Sequence, residues 1–310
     1  MESITFNQLT EQMVALYHQK KFEEAVQLIE QNLHSFQEQT ARLTFWRMCF
    51  LSLTGRSEKV LSVFEQGLDS GLWWHAELFS DPDLNAVRDL PEFKRLMAVS
   101  QERYEEEQAQ VERDYTILYP EPPSSGQYPL LITLHGRNGN KESDLERWEL
   151  AKQRGWLVLS AQSTQPVFRG AYHWDNPERG LADLRFYYDQ VSQQHQIDPR
   201  RVLIAGFSQG SGMAIYTALT RSLPVRGFMG IGTWWADPNQ LDISEGQIRG
   251  YFVTGEKDHT RKRAREIRDV LRKNNVEFAE EVHTELGHEF SSDFGASFDK
   301  AVNFIFKEHE

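Results

Sequence analysis

The chain has 310 residues, with 34 Lys and Arg against 46 Asp and Glu and a formal charge of −12. That acidic balance argues against nucleic acid as a partner, because phosphate backbones reward clustered basic side chains. Apolar residues make up 39% of the sequence, enough for real cores, and the one cysteine, Cys49, excludes an intramolecular disulfide and a cysteine-based metal site.

The length suits two domains. The opening residues lack a basic stretch followed by an apolar run, so no secretory signal is expected. No run approaches the ~18 apolar residues of a membrane helix. The expectation is a cytoplasmic protein without a membrane span.

Residues 1–110 read as helices. Leu9, Met13, Leu16 and Tyr17 fall at helical spacing, as do Phe22, Ala25, Leu28, Ile29 and Leu33. Shifting the chain by about 35 residues sets Met13 on Met48, Leu16 on Leu51 and Leu28 on Val63, close to the tetratricopeptide period. Gly55 stands where the second inter-helix turn should fall, although Ser57 and Val60 replace the aromatic and the alanine of that repeat. Asp81-Pro82 predicts a third helix start, with apolar positions at Leu84, Val87, Phe93 and Leu96. So short an array cannot bury its own faces. Residues 1–110 are therefore expected to engage a protein partner or to dock within the chain. Gln101 to Gln110 is polar and reads as a solvated helix or linker.

From 111 to 310 the period changes. Tyr115, Ile117 and Tyr119 alternate as in a strand, and Pro120 to Gly126 reads as loop. Short apolar runs then alternate with helical patterns: Leu130–Leu134, Leu157–Leu159, Val202–Ala205, Phe228–Ile231, Tyr251–Val253 and Phe278–Val282. This predicts an α/β domain, a mostly parallel sheet with helices on both faces, with active residues just past the carboxyl ends of the strands.

The most informative stretch is Val202 to Gly210, a buried strand running into Gly206-Phe207-Ser208-Gln209-Gly210 and then an apolar helix. That layout is a nucleophile elbow, which lifts one serine hydroxyl above the sheet. A serine needs a base, usually a histidine oriented by a carboxylate, and in hydrolases on such sheets the order is Ser, then Asp or Glu, then His. Past the strand Tyr251–Val253, Gly255-Glu256-Lys257-Asp258 offers two carboxylates. Its glycine-x-x-aspartate spacing favours Asp258, whose alternative use is to cap the next helix. Past Phe278–Val282, His288 in Leu286-Gly287-His288 is the expected base, ahead of His283, His259 and His309. Two backbone donors must receive the oxyanion. One is the N–H of Gln209; the other is the N–H of Arg137 or Asn138, in the loop after Leu131–Leu134, with His135 bracing that loop. Residues over the elbow include Phe168, Tyr172, His173, Trp174 and Asp175 in Gln165 to Gly180, and Thr233-Trp234-Trp235. Trp174 and Trp234 are candidate pocket walls, and Trp235 is expected to pack.

Leu134-His135-Gly136, Ile197-Asp198-Pro199-Arg200-Arg201-Val202, the elbow, Gly255-x-x-Asp258 and Gly287-His288 together resemble the α/β-hydrolase superfamily, in its phospholipase/carboxylesterase and acyl-thioesterase branch. The resemblance covers residues from about Tyr115 to the end. It implies a cofactor-free, metal-free serine hydrolase acting on a small carboxylic ester or thioester. Ser208 would be nucleophile, Asp258 orienter and His288 base, with donors at Gln209 and Arg137. Four features depart from the family pattern: Ser211 stands before Gly212, the oxyanion loop is one residue longer, His259-Thr260-Arg261-Lys262-Arg263 replaces a short apolar stretch after Asp258, and the helical N-terminal domain is an addition. The rival readings are a helical-repeat interaction protein with a hydrolase-fold platform, and peptidase or acyltransferase use of the same triad.

Overall fold

A computed structural model describes residues 4–120, 126–238 and 248–307. The loop expected over 120–126 and His309 fall largely outside them. The chain forms two compact units. One runs to Val111 and takes in Pro166–Ala171; the other comprises Glu112–Gln165 and residues from Tyr172 onward.

In the helical unit, α1 (Phe6–His18) starts at a capping box in which Thr5 and Gln8 satisfy each other's backbone N–H groups. It pairs with α2 (Phe22–Asn32), and α3 (Thr40–Leu53) pairs with α4 (Ser57–Asp69). The two hairpin turns repeat closely. Lys20 and Gly55 both take positive φ, 57° and 73°. The next N–H groups, of Lys21 and Arg56, reach back to the carbonyls of Leu16 and Leu51 at 2.9 and 3.0 Å. The internal offset read from apolar residues is therefore also written in the backbone.

The third helix start is placed differently. Asp81 caps only a short 3-10 turn, Pro82–Leu84. The long helix α5, Pro91–Gln110, begins with Pro91 at its first turn, where a missing N–H costs nothing, and runs on through the polar stretch to Gln110. Phe64, fully buried, gathers Trp74, Phe79 and Phe93 at ring separations of 5.6, 5.0 and 5.3 Å. Val167, Phe168 and Ala171 belong to this same core, and the His75 N–H donates to the Val167 carbonyl at 2.7 Å. Phe168 is therefore no part of a pocket over the elbow: its apolar ring is satisfied inside the helical unit.

The second unit contains β1 (Tyr115–Leu118), β2 (Tyr128–Leu134), α6 (Leu145–Gln153) and β3 (Leu157–Ala161). In chain order the short strands β4 (Pro166–Phe168), which lies in the helical unit, and β5 (Ala171–Tyr172) come next, then, in the second unit, α7 (Pro177–Gln194), β6 (Ile197–Phe207), α8 (Gln209–Leu219) and β7 (Gly227–Ile231). The chain closes with β8 (Arg249–Gly255), α9 (Arg261–Lys273), β9 (Glu277–His283) and α10 (Phe294–Phe306). The main sheet has the order β1-β3-β2-β6-β7-β8-β9, parallel throughout except for β1. Alternate residues of the central strands feed two separate cores. Ile132 and Ile204 point to one, with α7 and α8; Leu131 and Leu203 point to the other, with Trp148, Trp156 and Phe298. A sheet buried on both faces explains why its strands read as continuous apolar runs. Among the described residues no helix is long and apolar enough to cross a membrane.

Candidate active site

The site forms at the carboxyl ends of β6, β8 and β9. Ser208 sits between β6 and α8 with φ 53° and ψ −119°, a sparsely populated conformation that costs about 1–3 kcal/mol and persists only where surroundings enforce it. Two glycines allow the turn. A Cβ on Gly206 would lie 2.4 Å from the Gly210 carbonyl carbon, and one on Gly210 would lie 2.3 Å from the His135 carbonyl oxygen. The Ser208 N–H donates to the Ile231 carbonyl at 2.8 Å, and its own carbonyl accepts from the Trp234 N–H at 3.2 Å. Ser211, in place of the family's second glycine, is fully buried and shares a 2.7 Å hydrogen bond with Thr233. The departure is satisfied internally.

Ser208, Asp258 and His288 are brought together. Nε2 of His288 lies 2.9 Å from Oγ of Ser208, and Nδ1 lies 3.0 and 3.1 Å from the two carboxylate oxygens of Asp258. Asp258 is buried and its Oδ1 also accepts from the N–H and hydroxyl of Thr260, at 2.7 and 2.8 Å. Orienting the imidazole and bracing the turn into α9 are thus done by one side chain. Burial pushes the Asp258 carboxyl upward, but the His288 and Thr260 hydrogen bonds prevail and hold it below its ordinary range. The His288 ring packs on Phe207 at 4.7 Å, and Phe207 stacks on Phe290 at 5.1 Å. Gly232, at φ 53°, leaves room for the pair: a Cβ there would lie 3.1 Å from the imidazole and 3.2 Å from Oδ2 of Asp258.

The loop after β2 is held from several directions. The Asn138 N–H donates to the Tyr172 carbonyl at 2.9 Å, so of the two candidate donors Asn138 is already committed. His135 is buried. Its Nδ1 meets the Gly136 carbonyl at 2.8 Å, while Nε2 accepts the Ser163 N–H at 3.3 Å, a pairing that requires the neutral ring. Burial, aided by the charge of His173 and opposed by the Gly136 hydrogen bond, brings His135 down to about 4.

Trp174 is fully buried rather than a pocket wall. Its indole N–H donates to the His135 carbonyl at 3.0 Å, its backbone N–H donates to Oε1 of Gln209 at 3.0 Å, and its ring lies 5.0 Å from that of His135. The N–H partner and the ring contact both lie inward, so the indole braces the loop after β2. Trp234 is half-buried beside the elbow, and Trp235 is buried and stacked on Tyr216, as its packing role requires.

Sequence reasoning gave no role to Asp175, which the structure makes a hub. It pairs with the Arg137 guanidinium at 2.7 Å and accepts hydrogen bonds from the Gln209 amide and His173. Burial works upward on this carboxyl, but the hydrogen bond and charge of His173, joined by Arg137, hold it far below the ordinary range. Its only sequence signal is an acid directly after the aromatic segment Tyr172-His173-Trp174. The ring of His259, the residue after Asp258, lies 4.5 Å from that of His288. A basic depression of about 730 Å³, lined by Arg200, Arg201, Arg226, Arg249 and Lys307, lies at the amino ends of β6, β7 and β8, away from Ser208.

Two family matches cover separate parts of the chain. Residues 5–109 match the A/B hydrolase-like, N-terminal domain family, and residues 188–293 match the phospholipase/carboxylesterase family. A stretch of 99 residues is 32% identical to the bifunctional acetylxylan esterase/xylanase XynS20E of Neocallimastix patriciarum, covering 30% of this chain but only 14% of that protein's length. An uncharacterized protein from Bacillus cereus is similar in structure over 97% of this chain and 99% of its own, with 24% identity and a TM-score of 0.53. The Bacillus cereus carboxylesterase is similar over 66% of this chain and 99% of its own, with 14% identity and a TM-score of 0.53. These structural likenesses are likenesses of fold.

Proposed function

We propose that this chain, which joins an A/B hydrolase-like N-terminal domain to an α/β-hydrolase domain of the phospholipase/carboxylesterase type, cleaves a small carboxylic ester or thioester through an acyl-enzyme on Ser208. The observation that carries the reading is the unbroken hydrogen-bonded line from Asp258 through His288 to Ser208, with its 2.9 Å contact at the hydroxyl. Nε2 of His288 takes the Ser208 proton as Oγ attacks the acyl carbonyl. The carboxylate of Asp258 fixes the Nδ1–H tautomer and stabilises the imidazolium. The oxyanion receives hydrogen bonds from the N–H groups of Gln209, at the positive end of α8, and of Arg137. The imidazolium then protonates the departing alcohol or thiol, and a water activated by the same ring releases the acid.

Asp175 supports this assignment of donors, because it ties the side chains of Arg137 and Gln209 to one carboxylate. Residues 111–310 carry the chemistry in this reading, and residues 1–110 serve as a surface for a protein partner. A cytoplasmic setting belongs to the same proposal and is compatible with the single, buried Cys49. The test is a fluorophosphonate probe together with a panel of nitrophenyl esters and acyl thioesters. Covalent labelling confined to Ser208 and hydrolysis of at least one substrate are expected. Protein that neither labels nor hydrolyses would overturn the reading.

A further inference from the structure

We infer that Asp258, His259 and His288 form an inhibitory site for a zinc-like divalent cation. The ligand atoms of these residues lie within 4.8 Å of one another. Zinc bonds to imidazole nitrogen and carboxylate oxygen are about 2.0–2.1 Å long, so tetrahedral ligands stand about 3.3 Å apart. The observed separations bracket that value: 3.0 Å from Nδ1 of His288 to Oδ1 of Asp258, and 3.9 Å from Nδ1 of His259 to the same oxygen. Small rotations of the histidines would close the set.

The remaining features fit a cation arriving from solvent. The His259 side chain is 76% exposed, whereas Asp258 is held at 1%, giving one accessible ligand over one fixed ligand. Thr260 donates twice to Asp258 and sets the carboxylate plane, the outer-shell support that metal ligands usually have. His259 also stands where the chain departs from the family pattern, since an apolar stretch is usual after this aspartate.

The chemical consequence follows from the two faces of one ring, and this part rests on the proposed triad. A metal on Nδ1 of His288 displaces the proton there; the proton moves to Nε2, and the ring stays neutral. Nε2 then presents an N–H to Ser208 and can no longer accept the serine proton. Chelation removes the ion and restores the original tautomer, so inhibition is reversible.

Binding is to be measured without reference to turnover, by competition of the full chain with a chromophoric chelator for Zn²⁺ and by the visible absorption of bound Co²⁺. His259→Ala is expected to weaken binding by at least about tenfold, the loss typical even of an outer-shell partner. Ester hydrolysis by the unaltered chain should fall with buffered free Zn²⁺ and return with EDTA, and the inhibition curve of His259→Ala should shift by the same factor. Equal zinc affinity in the two proteins would overturn the site. Zinc binding that depends on His259 in a chain without hydrolysis would instead overturn the proposed function and leave the site standing.

Discussion

The hairpin turn at Lys20 and the elbow at Ser208 both push an L side chain to positive φ, 57° and 53°. In the helical unit the equivalent turn one repeat later carries Gly55, which adopts that conformation without penalty. Strain at Lys20 is therefore incidental, tolerated because the turn is exposed and the hairpin is held by the packing of its helices. In the α/β unit the strain is imposed from several sides. Gly206, Gly210 and the bonds to Ile231 and Trp234 leave Ser208 no relaxed alternative. The comparison teaches that an unusual dihedral becomes informative only when buried neighbours enforce it.

The largest expected effect separates the two turns by function. Under the proposed function, Ser208→Ala should reduce turnover by about 10⁴–10⁶, the scale of nucleophile removal in known serine hydrolases. Initial rates on the best ester of the panel measure it, and residual turnover within tenfold of the starting chain would exclude Ser208 as nucleophile. Next comes the difference in how the units are held. Phe64→Ala removes the ring around which Trp74, Phe79 and Phe93 gather, and should cost about 3–5 kcal/mol in chemical denaturation.

A pH effect of somewhat smaller size belongs to the α/β unit. The unfolded chain protonates His135 near the ordinary value of about 6.5, the folded chain only near 4. Stability is therefore whole above about pH 6.5 and declines as pH falls toward 4, by up to about 3 kcal/mol. Urea midpoints at the two ends of that window measure it, and His135→Asn should flatten the profile. The smallest effect sharpens the comparison of turns directly. Lys20→Gly and Ser208→Gly should each raise stability by about 1 kcal/mol, as strain is relieved against the entropy of glycine, but only the second should abolish hydrolysis. If Lys20→Gly destabilises the chain, the turn is not strained in the way described.

Much of the site could be read before the fold. Ser208, Asp258 and His288 announce themselves because each follows an apolar run at a glycine turn, and the chain order of such triads is restricted. The sheet was legible for a related reason: strands buried on both faces have no polar alternation to dilute the signal. What escaped has no local pattern. Asp175 matters only through Arg137 and Gln209, which are remote in sequence, and Trp174 changed from wall to brace because its N–H found the His135 carbonyl. The polar end of α5 was ambiguous because helical periodicity needs an apolar stripe to be seen, and that stretch has little. Sequence adjacency alone puts Phe168 with the residues over the elbow, but tertiary packing puts its ring in the helical core.

That excursion of Pro166–Ala171 into the helical unit bears on how the protein can be dissected. Severing the chain near residue 110 would give a repeat fragment missing Val167, Phe168 and Ala171 from its interior, while the remainder would display the same side chains to solvent. Neither piece would be a faithful proxy for its part of the whole. A bait intended to capture a helical-unit partner should therefore be the intact polypeptide, silenced at Ser208, or a fragment with that segment grafted back.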